Sequence, residues 1–102
     1  MYKKIILILL LLSLASPSFA AKGVVTYYRD GDYFIVETNM GYDLLEWYGG
    51  HDPSEGDIIV GNFESYGFKD IYDVTSDSSL RVWVEEYWLS KEAAFEEYYE
   101  HN

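Results

Sequence analysis

GVVTYYRDGDYFIVET, Gly23 to Thr38, is the stretch that decides the fold class. Its two halves, GVVTYYR and YFIVET, are rich in β-branched and aromatic residues, which suit a pleated, half-buried surface. Asp30-Gly31 stands between them, the dipeptide that most strongly signals a tight hairpin. With that turn, Val25 faces Val36, Tyr27 faces Phe34 and Tyr28 faces Tyr33. One face of the hairpin then carries Val25, Tyr27, Phe34 and Val36. The other carries Thr26, Tyr28, Tyr33, Ile35 and Glu37.

Further strands follow downstream. YDLLEWY (42–48) and DIIVGNF (57–63) have the same composition, residues 69–75 form a looser segment, and LRVWVEEY (80–87) alternates Leu80, Val82 and Val84 with Arg81, Trp83 and Glu85. The chain ends differently. Ser90 is placed to cap a helix over about 90–100, with Glu92 beside the positive end of its dipole. Leu89 and Ala94 are placed as a hydrophobic staple, and Phe95 with Tyr98 as one apolar stripe. These elements predict an all-β protein with one short C-terminal helix. The architecture expected is a small five- to six-stranded antiparallel barrel, OB-like or SH3-like, whose closure removes exposed strand edges and whose open end the helix would seal.

Upstream, residues 1–20 read as a cleaved signal peptide. Lys3 and Lys4 precede an apolar run from Ile5 to Leu12, and Ser18-Phe19-Ala20 fits a small-x-small cleavage site. The run is shorter than the roughly 20 residues that span a bilayer, so no stable membrane anchor is expected. Residues 21–102 form a single domain, exported to the periplasm or the medium. The chain has no cysteine, so packing rather than disulfides must hold it. Of 11 Tyr and 5 Phe only Tyr2 and Phe19 fall in the leader, and with 3 Trp the domain is dense in rings that each bury on the order of 150–250 Å².

Charge bounds the partners. The chain carries 18 acidic against 7 basic residues, and cleavage removes two of the lysines. Such a field repels phosphate backbones and anionic lipid heads, so nucleic acid is not an expected partner; a cationic protein is compatible with it.

The loop YGGHDPSEGD (48–57) concentrates a histidine, three acids, a proline and three glycines. Asp52-Pro53-Ser54-Glu55 suits a type I turn and Gly56 a positive φ. His51 with Asp52, Glu55 and Asp57 could ligate a metal, but the spacing matches neither HExxH nor an EF-hand. The loop is read as a turn, with no metal or cofactor assigned. There is neither a cysteine nor a nucleophile elbow, and a domain this small has little material for a deep cleft, so no catalytic residue is assigned either.

A binding surface is the remaining expectation. If the second hairpin turns on Met40-Gly41, Phe34 meets Trp47, Val36 meets Leu45 and Tyr33 meets Tyr48. Tyr28, Tyr33 and Tyr48 then line up across three strands with Glu46 nearby, as a ligand-binding face for a protein or cell-envelope glycan. A three-residue Asn39-Met40-Gly41 loop is equally natural and would set Phe34 against Glu46, dispersing the row. The aromatic pairs also have a purely structural reading, as cross-strand contacts or as rings beneath the helix. The function expected is an exported non-enzymatic binding module. Alternatives are an acidic inhibitor of a cationic exported enzyme, or a metal-binding protein using the 51–57 loop.

Overall fold

The computed structural model describes residues 21–102, and the expected leader lies outside the described residues. Six strands, β1 (Ala21–Tyr27), β2 (Tyr33–Thr38), β3 (Gly41–Gly50), β4 (Ile58–Gly61), β5 (Gly67–Asp73) and β6 (Ser78–Leu89), precede one helix, α1 (Lys91–His101). The strands close an antiparallel barrel in the order β1-β2-β3-β6-β5-β4. Two consecutive three-stranded meanders are thus joined along both edges, β3 to β6 and β1 to β4. Among the described residues every strand has two neighbours, so no whole strand is left as an edge.

Alternation within the strands fills the interior. Val25, Phe34, Val36, Leu45, Ile59, Phe63, Ile71, Leu80, Val82 and Val84 form one buried cluster. Each such side chain contributes roughly 1.5–3 kcal/mol. The expected alternation of Leu80, Val82 and Val84 is observed, and Arg81 and Trp83 face outward.

Two local irregularities move residues from their expected places. In the first hairpin Val25 pairs with Val36 as expected, but the register then slips and Tyr27 pairs with Ile35. Thr26 is the extra residue of this bulge, and its hydroxyl donates to the Ile35 carbonyl at 3.2 Å. One inserted residue exchanges the faces of everything beyond it. Tyr27 therefore leaves the interior face and Tyr28 joins it.

In the second hairpin Thr38 pairs with Gly41, so the turn centres on Asn39-Met40. Neither expected register is adopted: Phe34 lies opposite Leu45, Val36 opposite Asp43 and Tyr33 opposite Glu46. Thr38 fixes this turn, with its hydroxyl accepting from Met40 N at 3.0 Å and donating to Gly41 O at 3.2 Å. A two-residue slip preserves the faces, so Leu45 stays inside, but it sets Asp43 against Val36 and carries Tyr48 past the end of β2.

Ser90 caps the helix as expected, accepting from Ala93 N at 3.2 Å. The helix does not seal a barrel end. It lies on the outer face of β2 and β3, where Ala94 and Tyr98 bury Ile35 and Leu44 with Tyr27, Tyr33 and Phe95 around them. Ile35 and Leu44 point away from the barrel interior, and the helix gives that apolar outer face its cover.

Candidate functional site

The expected row of Tyr28, Tyr33 and Tyr48 is not formed. Tyr28 packs against Phe34 at the barrel end, with ring centroids 5.0 Å apart, and its hydroxyl donates to Asp52 at 2.6 Å. Burial first, and then this carboxylate, hold the Tyr28 phenol well above its usual range. Tyr33 lies beneath the end of α1, stacked on the His101 ring at 4.6 Å. Its phenol is raised too, by burial and by the neighbouring Glu46 carboxylate. Tyr48 alone of the three is open, 52% exposed.

Tyr48 belongs instead to a row on the other side of the barrel. On the outer face of β3, β6 and β5, its ring meets Phe68 edge to face at 4.8 Å, and Phe68 meets Trp83 at 4.9 Å. Phe68 pairs with Trp83 across β5 and β6, and Trp83 pairs in turn with Glu46 of β3. Phe68 is 46% exposed. The Arg81 guanidinium lies 5.3 Å over the Phe68 ring and 3.6 Å from Asp70. The Trp83 indole donates to Glu85 at 3.1 Å. Three rings on three adjacent strands, bordered by Glu46, Glu85, Asp70 and Arg81, make a stacking surface with hydrogen-bonding groups around it. Nothing in the sequence singles out Phe68 or Arg81 for this site; the alternation in LRVWVEEY sets Arg81 and Trp83 outward, but nothing local shows that β5 pairs with β6.

The 48–57 loop folds around different contacts from those expected. The tight turn is Ser54-Glu55-Gly56-Asp57, closed by Asp57 N to Ser54 O at 3.0 Å, with Gly56 at φ 95°. Asp52 is taken by Tyr28, and Glu55 accepts from Tyr28 N and from Arg29 Nε. Both therefore lean toward the first hairpin, leaving His51 and Asp57.

The third partner is Asp73, at the end of β5. His51 Nε2 lies 3.2 Å from Asp73 Oδ2, 3.8 Å from Asp57 Oδ2 and 2.8 Å from the Ser76 hydroxyl. Asp73 is fully buried and Asp57 nearly so. The contact with Asp73, then burial, raises the Asp57 carboxyl. Burial works to raise Asp73, but the neighbouring Asp57 carboxyl and the Ser76 donors outweigh it and leave Asp73 below the usual range. Serine and aspartate both approach Nε2, whereas a Ser–His–Asp relay needs them on opposite ring nitrogens.

A second carboxylate stands alone. Asp43, buried on the interior face of β3, accepts from Trp88 N at 2.9 Å through Oδ1, while its Oδ2 has no hydrogen-bond partner among the described residues. Burial pushes its carboxyl up to about 7, against the Trp88 N–H and with some help from Glu64. No family model matches this chain, nor does any curated protein or any solved structure.

Proposed function

We propose that the protein is an exported, non-enzymatic binding module that holds a cell-envelope glycan on the outer face of β3, β6 and β5. The observation that carries this reading is the contact chain Tyr48–Phe68–Trp83, of which Tyr48 and Phe68 are open to solvent. Exposed rings in a contiguous row mark a recognition surface more than a folding device. A pyranose ring offers a flat C–H face to such rings, and its hydroxyl or amino groups meet Glu46, Glu85 and Asp70. The excess of 18 acidic over 7 basic residues favours neutral or amino-bearing sugars over phosphorylated or carboxylated ones.

Titration of the purified protein with soluble neutral and amino-sugar oligosaccharides, followed by tryptophan fluorescence, tests the proposal. Saturable change of the Trp83 emission is expected, with little dependence on salt. An unresponsive indole across the sugar series, together with capture of an envelope protein at the same face, would replace the glycan by a protein partner.

A further inference from the structure

We infer that the end of the barrel where His51, Asp57 and Asp73 converge is a site for a divalent transition-metal ion of the zinc class, with the Ser76 hydroxyl as an additional oxygen donor. Three separate parts of the chain supply the ligands: the β3–β4 loop gives His51, the entry to β4 gives Asp57 and the end of β5 gives Asp73.

Geometry is the first support. One donor atom from each residue lies within 4.8 Å of the others. Ligands about 2.0–2.2 Å from a tetrahedral zinc ion stand roughly 3.3–3.6 Å from one another. The separations of 3.2 Å and 3.8 Å from His51 Nε2 to the two carboxylates bracket that spacing.

The second support is independent of the clustering. Asp73 Oδ2 is shut off from solvent, lies 3.2 Å from His51 Nε2 and has no hydrogen-bond partner among the described residues. A buried carboxylate oxygen without a donor is costly, and a cation is the partner that removes the cost.

The ligands are held by their surroundings. Asp73 Oδ1 accepts from Ser76 N at 3.1 Å, and Asp57 Oδ2, the oxygen that faces His51, also accepts from Ser54 N at 3.1 Å. His51 N donates to Ser79 O at 3.0 Å, and His51 O accepts from the Trp47 indole at 3.0 Å. Such outer contacts orient metal ligands before the ion arrives. An imidazole nitrogen among the donors favours zinc over calcium or magnesium, whose sites are built from oxygen alone. Three protein ligands leave a coordination position that Ser76 or water would complete. The ion would tie the β3–β4 loop to the β5–β6 turn and clip that end of the barrel shut.

Calorimetric titration of the chelator-stripped protein with zinc chloride, alongside calcium and magnesium chloride, tests this. Expected are one zinc per chain with micromolar or tighter affinity, no comparable calcium or magnesium binding, and a Tm raised by roughly 10–20 °C at a hundredfold excess over Kd. Asp73→Asn and His51→Ala should each weaken zinc tenfold or more, while the double change Asp52→Asn, Glu55→Gln leaves it unaltered. His51 is 29% exposed at its side chain and makes its strand contacts through the backbone, so His51→Ala is expected to fold. A folded His51→Ala protein that binds zinc as tightly as the parent overturns the assignment. So does the absence of stoichiometric zinc binding, or equal multi-site binding of all three ions, which would be diffuse attraction to an acidic surface.

Discussion

Tyr98 closes the first hairpin turn from the far end of the chain: its hydroxyl accepts the Asp30 N–H at 2.9 Å and donates to the Asp30 carbonyl at 3.3 Å. The same oxygen accepts from Arg29 N at 3.1 Å. One phenol from the helix thus satisfies backbone groups that a two-stranded hairpin would leave to water. Tyr98→Phe keeps the buried ring and removes these bonds. The expected loss is about 1–2 kcal/mol, read as a fall in Tm of roughly 5–15 °C, with faster amide exchange at Arg29 and Asp30. Unchanged exchange at those amides would show that the bonds carry no stability.

Asp43 makes stability depend on pH in a definite direction. Its folded pKa, about 7, lies above the ordinary value of 3.8. Below both values the carboxyl is protonated in either state and costs nothing. As pH rises from about 4, the unfolded chain releases this proton first, so stability falls until the folded group has also ionised near pH 7 and is level above it. Each pKa unit is worth about 1.4 kcal/mol, so the loss approaches roughly 4 kcal/mol. Asp43→Asn should remove it. Urea melts of both proteins at pH 5 and pH 8 should show the smaller drop in the variant, with all other carboxylates common to the two; parallel drops would be evidence against the shift.

At the aromatic face, Phe68→Ala and Trp83→Ala should each weaken sugar binding by up to about tenfold, since ring contacts are worth about 0.5–1.5 kcal/mol. Phe68→Ala should change Tm by only a few degrees because that ring is half exposed. Tyr33→Ala serves as the contrast: it removes a ring from beneath the helix and should lower Tm while leaving the affinity of the folded fraction unchanged. Equal binding by parent and Phe68→Ala would move the site elsewhere.

Gly50 sits at φ 77°, and a Cβ there would meet the Ser79 carbonyl oxygen at 2.8 Å. Gly50→Ala therefore meets both backbone strain and a close contact with main chain that cannot swing aside. A destabilisation of about 1–3 kcal/mol is expected in a chemical melt, larger than for Gly49→Ala, where a Cβ meets open space.

How far the sequence could be read depended on whether the signal was local. The alternation of Leu80, Val82 and Val84 and the Ser90 cap each act within a few residues, and each appears where expected. Asp30-Gly31 lies in the first turn, with Gly31 at φ 67°, but the connection runs from Tyr28 to Asp32 instead of closing on two residues, because the register has already slipped at Thr26. The Thr26 bulge is also local, yet nothing in VVTYY marks it. Its effect is to set Tyr28 against the barrel interior and Tyr27 beneath the helix. The shift of the second hairpin onto Asn39-Met40 is similar: Thr38 could bond a turn in several registers, and the pairing of β3 with β6 selects among them.

Composition and period alone determined that this cysteine-free chain builds a small antiparallel barrel around rings and aliphatic side chains, with a capped helix at its end. Only the tertiary structure decided which rings face solvent and which acid joins His51. Inside or outside is set by register, and register is fixed by long-range pairing whose energy is spread over whole strands. Phe68 and Trp83 meet because β5 lies beside β6, and Asp73 reaches His51 because the barrel closes; neither neighbour is written in the residues next to it.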